Sequence, residues 1–409
     1  MFTEVQIENY KSIQSLKIGL GRVNVFIGEN GCGKSNILEA IALAGAAAGN
    51  KLDNEFLAPR GIRVTEPEFM RSAFDKKNVS KEIKINFNNS SNIPLNIGLQ
   101  HDNQIYSSWY IVNERIASLF KELPSPERIS NEIRIAIENT LHKMTEDFLK
   151  TQLQKEKSDI TYNQESINQF VQLFKDKALS DLSNLVSQDS LELMNFLIYS
   201  PENTSLRTFE EEGQIQPLGS RGQGLLKLLR VLNMNQDEIN EIKQKLELID
   251  WFDDFKIHQD SDIERTIQIK DRYLDKELPY FNQRSSNEGF LFLMFYFALF
   301  TSDDTPKFFA IDNIENALNP KLCKKLIQEL VELAKKYDKQ VIFTTHNPAV
   351  LDGLDLHDDD QRLFTIYRNI HGHTKAERIF PPEPLEDDDP VPLSEAFMNG
   401  YIGGLPNNF

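Results

Sequence analysis

The pattern of apolar and polar residues predicts strands both early and late in the chain. Residues 4–7 alternate with period two, and Val23–Ile27 is a mostly apolar, β-branched run that stops at a glycine. Both patterns are typical of β-strands. The apolar stretches Phe308–Ile311 and 340–344 each lie next to a helical pattern. Strands that alternate with helices in this way predict a parallel βαβ sheet.

The middle of the chain follows a different pattern. Residues 82–87, 93–99 and 105–112 are strand-like, and their short connections predict an antiparallel layer. Residues 113–281 are instead interpreted as a helical insertion, polar and charged at first and then continuing through a glycine-rich loop into an amphipathic helix. A packed helical lobe and a lobe that docks a partner or senses DNA both fit this composition.

A phosphate-binding motif follows the second predicted strand. Residues 28–35 read GENGCGKS, which is a complete G-x-x-x-x-G-K-S motif between a strand and a helix. The glycines let backbone N–H groups face one concavity, and the helix N-terminus adds partial positive charge. We expect the lysine to bridge the β- and γ-phosphates of ATP and the serine to bind Mg²⁺. The predicted nucleotide-binding residues of the loop are Asn30, Gly31, Gly33, Lys34 and Ser35.

Two later strands end in residues that could complete this site. Phe308–Ile311 is followed by Asp312, and the carboxylate at this strand end is expected beside Ser35, where both would bind Mg²⁺. The next predicted strand ends in His346. A lone histidine there is more often a structural or capping residue, but the P-loop and the acidic strand favour a contact with the γ-phosphate.

Composition limits the partners of the chain. Its 409 residues carry a formal net charge of −17, which on average repels nucleic acid, so contact with DNA would need a local basic groove or a partner. The longest apolar run, 290–300, is shorter than the roughly 20 residues of a membrane span, so a buried helix and no membrane contact are expected. Cys32 and Cys323 lie too far apart to suggest a zinc motif, and two cysteines fit a reducing cytoplasm.

These segments together resemble the ABC-type ATPase heads of the SMC, RecF and OLD families, and more closely the stand-alone AAA-type ATPases of bacterial defence loci. Residues 7–13 resemble the opening strand of that group, 285–291 its signature loop, 312–320 its Walker B motif and D-loop, and 344–348 its switch-histidine loop. The resemblance implies an α/β P-loop NTPase of the ABC-ATPase head type. Its mixed sheet would carry an antiparallel β-lobe and a helical insertion.

The resemblance also divides the chain into four parts. Residues 1–112 would hold the Walker A motif and the β-lobe, 113–281 the helical insertion, 282–380 the signature, Walker B, D-loop and switch histidine, and 381–409 an acidic linker and tail. The OLD family adds a nuclease domain of on the order of 100 residues, whereas 63 residues follow His346 here. We therefore expect a separate effector in trans, with the tail after residue 390 as its dock.

The signature loop implies a dimer. In ABC-type heads this loop reaches the γ-phosphate of the nucleotide bound to a second head, so the resemblance implies a homodimer or higher even oligomer that sandwiches ATP. Ser286 and Gly289 would make this contact in trans. The same loop also suits a helix N-cap. The family's signature serine is replaced here by Asn287, with Ser286 one place earlier.

The Walker B motif departs from the family at its catalytic position. Asn313 stands where the family has a glutamate that orients water, and an amide cannot accept a proton from water. Either Glu315 does this work, or hydrolysis is slow or gated by a partner. The candidate catalytic residues are Asn313, Glu315 and His346.

Three functions remain open on this sequence. The first is an ATP-dependent sensor or clamp of an anti-phage system that pairs with a separate nuclease or toxin. The second is a RecF-like DNA-repair ATPase that binds DNA directly, and DNA-stimulated ATP turnover would favour it. The third is a non-hydrolysing scaffold, which ATP-dependent oligomers without turnover would favour.

Overall fold

The computed structural model describes residues 1–90, 94–104, 106–112, 188–209, 217–257, 265–381 and 391–405. The strands are β1 (Phe2–Tyr10), β2 (Ile13–Gly19), β3 (Val23–Ile27), β4 (Ile83–Asn89), β5 (Leu95–Gln100), β6 (Tyr110–Ile111), β7 (Ile198–Tyr199), β8 (Phe252–Ile257), β9 (Ile267–Asp271), β10 (Phe281–Asn282), β11 (Phe308–Ile311), β12 (Gln340–Thr345), β13 (Gln361–Arg368) and β14 (Thr374–Ile379).

The helices connect these strands and cover their faces. The α-helices are α1 (Lys34–Ala48), α2 (Asn54–Leu57), α3 (Pro67–Met70), α4 (Gln188–Met194), α5 (Asn203–Arg207), α6 (Leu225–Leu232), α7 (Gln236–Leu246), α8 (Glu288–Thr301), α9 (Pro320–Lys336) and α10 (Leu393–Met398). Short 3₁₀ helices cover Ala58–Arg60, Lys76–Asn78, Gln283–Ser285 and Pro348–Gly353. No helix in the described ranges is both long enough and apolar enough to cross a membrane.

A six-stranded mixed sheet carries the P-loop. Its order is β14-β13-β3-β12-β11-β7, and all neighbours are parallel except β14 and β13. The predicted parallel pair is confirmed, because β11 and β12 pair in parallel with α9 between them in sequence. β3, β11 and β12 are buried along their whole length, which is why they read as apolar runs without alternation.

A five-stranded antiparallel sheet, ordered β2-β1-β4-β5-β6, confirms the predicted antiparallel layer. The predicted strand at 93–99 spans Leu95–Gln100, and the one at 105–112 supplies only Tyr110–Ile111. The apolar residues of α1 share one core cluster with the inward side chains of this sheet and with one face of the mixed sheet. α1, which begins at Lys34, is therefore held between the two sheets.

The other face of the mixed sheet is covered by α8, the predicted buried helix. Every residue of α8 from Phe290 to Thr301 is buried, which explains why the helix is apolar on all sides. It shares a second core cluster with α6, α7, α9 and the strands β8 and β9. The helix that follows the signature loop is thus packed on all sides.

The predicted helical insertion contains strands that the sequence pattern did not reveal. Ile198–Tyr199 joins the mixed sheet beside β11, and β8, β9 and β10 form a three-stranded antiparallel sheet. β8 was missed because a register shift between Phe252 and Asp254 interrupts its period-two pattern. The polar segment 113–187 lies outside the described residues, and the four-part division of the chain stays a prediction.

Candidate nucleotide site

The loop between β3 and α1 is shaped by glycines. A Cβ on Gly28 would lie 2.1 Å from the Ile366 carbonyl oxygen, and one on Gly33 would lie 2.1 Å from the Thr374 hydroxyl. Gly33 also adopts φ of +113°, a conformation that side chains disfavour. The loop can therefore lie this close to β13 and β14 only with glycine at both positions.

Lys34 turns its ammonium group back into this loop. Its Nζ donates to the carbonyl oxygens of Gly28 at 2.8 Å and Glu29 at 3.1 Å. Burial lowers the pKa of Lys34, and the nearby carboxylates of Asp312 and Glu315 oppose that shift. The lysine charge is thus held at the loop by backbone carbonyls and lies within the field of both acidic residues.

The predicted Mg²⁺ pair is brought together. Ser35 Oγ donates to Asp312 Oδ2 at 3.4 Å, across the gap between α1 and the end of β11. The Thr344 hydroxyl on β12 donates to Asp312 Oδ1, and it accepts a hydrogen bond of 2.9 Å from the backbone N–H of Asn313. Thr344 therefore fixes both the carboxylate and the peptide that follows it.

Sequence reasoning placed Thr344 in the switch segment without giving it this role. The sequence clue to this role is the position of Thr344 on β12. It lies two residues before His346 and beside the end of the neighbouring strand β11. The side chain that it would meet depends on the register between the strands, which the sequence alone does not supply.

Glu315 connects the Walker B segment to the switch loop. Its Oε1 accepts a hydrogen bond of 2.8 Å from the backbone N–H of His346, while its Oε2 is buried without a hydrogen-bond partner in the structure. His346 is exposed, and its pKa is lowered by partial burial and then by the charge of Lys34. Asn313 lies nearby in a left-handed conformation, with φ of +56°.

The signature loop lies against the D-loop. A Cβ on Gly289 would be 3.0 Å from the carbonyl oxygen of Ala317, whose own φ is +61°. Ser286 is 4% exposed, and its hydroxyl has no hydrogen-bond partner among the residues that the structure describes. The Asn287 side chain accepts from Phe290 N at 2.8 Å, so the N-cap interpretation is confirmed. The contacts of Ser286 and Gly289 with a second chain stay a prediction.

A cationic cavity lies beside the P-loop helix. Its volume is about 440 Å³, and it includes Asn36, the residue after Ser35. Asn36 donates to the Ser12 hydroxyl at 2.6 Å and accepts from Arg63 at 3.0 Å. The remaining lining residues are Lys11, Thr65, Phe69, Arg71, Ala73, Phe74 and Arg368.

Buried Glu39 of α1 organises the cations of this cavity. Its carboxylate is 2% exposed and pairs with both Lys11 and Arg63. Phe69 and Phe74, which are both exposed, also line the cavity. Sequence reasoning missed Arg63 and the two aromatic residues because they lie in a segment without periodicity, and only the fold brings that segment to α1.

Comparison with known proteins adds a family and a fold. A family model described as "AAA domain, putative AbiEii toxin, Type IV TA system" matches residues 23–352. The DNA replication and repair protein RecF of Bacillus cereus (strain G9842) is 31% identical over 87 residues, which are 20% of this chain and 22% of that relative. RecF of Bacillus mycoides (strain KBAB4) is 39% identical over 54 residues, which are 13% of this chain and 14% of that relative. The matched part thus spans at most about a fifth of these curated relatives.

A solved structure covers nearly the whole chain. An SMC head, crystallised bound to the C-winged helix domain of ScpA, superimposes with a TM-score of 0.52 at 14% identity. The alignment covers 93% of this chain and 98% of that chain. At this level of identity the likeness shows the fold alone.

Proposed function

Because this chain belongs to the family described as "AAA domain, putative AbiEii toxin, Type IV TA system", we propose that it binds ATP and Mg²⁺ at the P-loop and hydrolyses ATP slowly or under the control of a partner. The predicted resemblance to ABC/SMC/RecF-like ATPases is confirmed by the match to this family and by the local similarity to RecF, and the SMC head shares the fold. The predicted α/β fold of an ABC-type ATPase head is confirmed as well.

One observation carries the proposal: three separate strands bring their functional residues to one place. Ser35 follows β3, Asp312 follows β11, and their side chains are joined by a hydrogen bond of 3.4 Å. His346 follows β12 and is tied to the same segment through Glu315. The carboxyl ends of parallel strands form the usual ligand edge of an α/β sheet, so this convergence supports a nucleotide site.

The residues present suit ATP and Mg²⁺. Lys34 and the loop N–H groups would hold the β- and γ-phosphates, and Ser35 with Asp312 would hold the metal. Bound Mg²⁺ would neutralise the charge that develops when the γ-phosphoryl group passes to water. The cavity beside Asn36 would take the nucleoside, with the Phe69 and Phe74 rings against the base and the Arg63 charge near the α-phosphate.

The acidic groups support slow hydrolysis. Asn313 carries no proton acceptor for water, and Glu315 uses one oxygen for His346 N while the other is buried. Glu315 is therefore arranged to position the switch loop rather than to activate water. The lowered pKa of His346 favours its neutral ring, whose N–H would donate a hydrogen bond to the γ-phosphate.

Nucleotide binding by the full chain tests this proposal directly. We expect Lys34→Ala and Asp312→Asn each to weaken binding of a fluorescent ATP analogue in the presence of Mg²⁺, and EDTA to weaken binding by the wild type. Lys17→Ala is the matched control, because Lys17 is exposed and forms its ion pair with Glu4, away from the P-loop. Equal affinities for wild type and Lys34→Ala would refute the proposed site.

The biological setting is a further part of the proposal. We infer a homodimer or higher even oligomer that sandwiches ATP, acting in the cytoplasm as a sensor or clamp of an anti-phage system with a separate nuclease or toxin. The exposed side chains of Met398 and Tyr401 are the proposed effector contact on the tail. Loss of effector pull-down in a Met398→Ala, Tyr401→Ala double variant would support that dock, and undiminished capture would remove it.

Direct DNA binding is the second candidate function. The similarity to RecF, a DNA replication and repair protein, favours it, and the exposed Arg368 and Arg63 supply local positive charge on an acidic molecule. Stimulation of ATP turnover by DNA would favour this function over the sensor. ATP-dependent oligomers without any turnover would instead favour the scaffold.

A further inference from the structure

The segment 391–405 is here called the strap. Near its start it is hydrogen-bonded to the 3₁₀ helix that follows the switch-histidine loop. The Asp352 carboxylate accepts hydrogen bonds from Ser394 N at 2.9 Å and from Ser394 Oγ at 2.7 Å. Asp352 belongs to the 3₁₀ helix Pro348–Gly353, which begins two residues after His346. The start of α10 is therefore fixed to the element that carries on from the switch histidine.

An aromatic anchor holds the strap down. Phe397 is 7% exposed and lies in the same core cluster as Val350, Leu351 and Leu363. Its neighbour Met398 is 62% exposed. One face of α10 is thus part of the core, while the other faces solvent.

The second half of the strap reaches the P-loop. Thr365 Oγ1 donates to the Ile402 carbonyl oxygen at 2.8 Å, and Thr365 pairs with Ile27, the last residue before the loop. Gly404 has φ of +82°, and a Cβ on it would lie 2.7 Å from Thr365 Cγ2 and 3.5 Å from the Cα of Gly28. The backbone of the strap therefore lies against the first glycine of the phosphate-binding motif without an intervening side chain.

We propose that the strap is coupled to nucleotide occupancy, so that its docking and ATP binding stabilise each other. The Gly28 carbonyl that Lys34 holds belongs to the residue against which Gly404 packs. The other end of the strap is fixed to the switch region. A docked strap thus favours the arrangement of P-loop and switch that receives phosphate, and by linkage bound nucleotide must favour the docked strap to the same extent.

This inference rests on the proposed ATP site and adds a regulatory element to it. An effector that captured the exposed face of α10 could leave the strap docked, whereas one that pulled the strap away would weaken ATP binding. The strap would then report nucleotide state to a partner, and the partner would control nucleotide affinity, through the same contacts.

Hydrogen exchange on the wild-type full chain tests the coupling without any variant. With a saturating non-hydrolysable ATP analogue and Mg²⁺, the backbone amides of residues 394–404 should exchange more slowly, by roughly fivefold or more, the lower end of typical coupling between sites. Lys34→Ala should abolish this protection. Unchanged exchange in a wild type that demonstrably binds the analogue would overturn the strap inference and leave the ATP site standing.

Release of the strap tests the reverse direction. Phe397→Ala removes the anchor and should weaken analogue binding by roughly the same factor as the protection seen in exchange, whereas Glu395→Ala, at an exposed position of α10, should bind like the wild type. Gly404→Ala places a methyl group against Thr365 and provides a second release variant if Phe397→Ala does not fold. Wild-type affinity in a folded release variant whose strap amides exchange freely would refute the coupling. A wild type that binds no nucleotide would overturn the proposed site and the strap together.

Discussion

At the scale of single residues, the backbone conformation at position 313 favours asparagine. Its φ of +56° lies in the left-handed region, which asparagine tolerates better than most residues. The peptide is held there by the hydrogen bond from Asn313 N to Thr344 Oγ1. Replacing Asn313 therefore involves two opposing effects, a gain of a proton acceptor and a conformational cost on the order of 1 kcal/mol.

The first prediction concerns hydrolysis. Asn313→Glu should raise the steady-state ATPase rate by about tenfold or more, because a positioned general base typically contributes at least that much. Asn313→Gln is the matched control, since it has the same length and strain but no proton acceptor, and its rate should not rise. The measurement is phosphate release at saturating ATP. A Glu variant no faster than the Gln variant would place the rate limit elsewhere.

A second prediction at this scale concerns His346. Its pKa is lowered from the ordinary histidine value by partial burial and then by the Lys34 charge, while Glu315 and Asp312 act in the opposite direction. Lys34→Met should therefore raise the pKa of His346, and Asp312→Asn should lower it further. Both changes can be read in the nucleotide-free protein by NMR titration of labelled histidines, with His346→Gln to assign the signal.

The sign of these shifts decides between two geometries. If Lys34, Asp312 and His346 share one site, the two substitutions must move the His346 titration in opposite directions. If neither substitution changed the pKa of His346, the histidine would lie too far from Lys34 and Asp312 to respond to their charges. Because no nucleotide is present, the outcome is independent of whether the chain hydrolyses ATP.

At the scale of elements, α1 connects the nucleotide site with the cationic cavity. Glu39 lies one turn after Ser35. It forms ion pairs with Lys11 in the β1–β2 turn and with Arg63 in the loop after the 3₁₀ helix Ala58–Arg60. Lys11 is largely buried with Glu39, whereas Arg63 is 66% exposed and can turn to water. Most of the stabilisation from this cluster therefore comes from the Lys11 pair.

The third prediction follows from that arrangement. Glu39→Gln should lower the free energy of unfolding by about 2 to 3 kcal/mol, because it leaves the buried Lys11 charge without a counter-ion. Glu4→Gln, which breaks the pair with the exposed Lys17, should cost less than about 1 kcal/mol. Urea denaturation of both variants gives the comparison. Similar losses of unfolding free energy in the two variants would mean that the buried Glu39 pair stabilises the fold no more than the Glu4–Lys17 pair does.

Elements also show how far the sequence could predict this molecule. β3, α1, β11 and β12 were predicted because burial on both faces or helical spacing leaves a local pattern, and the P-loop is a contiguous motif. Arg63 and Thr344 acquire their roles only through contacts across the fold, which no local pattern encodes. β8 carries a bulge that hides its alternation.

At the scale of the whole molecule, charge is distributed unevenly. The chain carries a net charge of −17, yet Lys11, Lys34, Arg63 and Arg368 gather around the P-loop and the adjoining cavity. An anionic ligand is thus attracted to one region of a molecule that repels anions elsewhere. The acidic total argues against extended nucleic-acid contacts, but it does not argue against a nucleotide.

The last prediction is an ATP-dependent dimer built from composite sites. With ATP and Mg²⁺, light scattering after size exclusion should show a shift from one 47.1 kDa chain to two, and Lys34→Ala should prevent it. Ser285→Arg should prevent it as well, because Ser285 is exposed on the signature loop and a dimer of this variant would carry a long charged side chain in both of its composite sites. Neither variant alone should turn over ATP efficiently.

Mixing the two variants makes the test specific for an ATP sandwich. In a mixed dimer, the intact P-loop of the Ser285→Arg chain faces the intact signature loop of the Lys34→Ala chain, so one composite site is whole. The mixture should therefore recover ATP turnover that neither variant shows by itself. Independent sites, each complete within one chain, would give only the average of the two separate rates, because no exchange of partners could repair either defect.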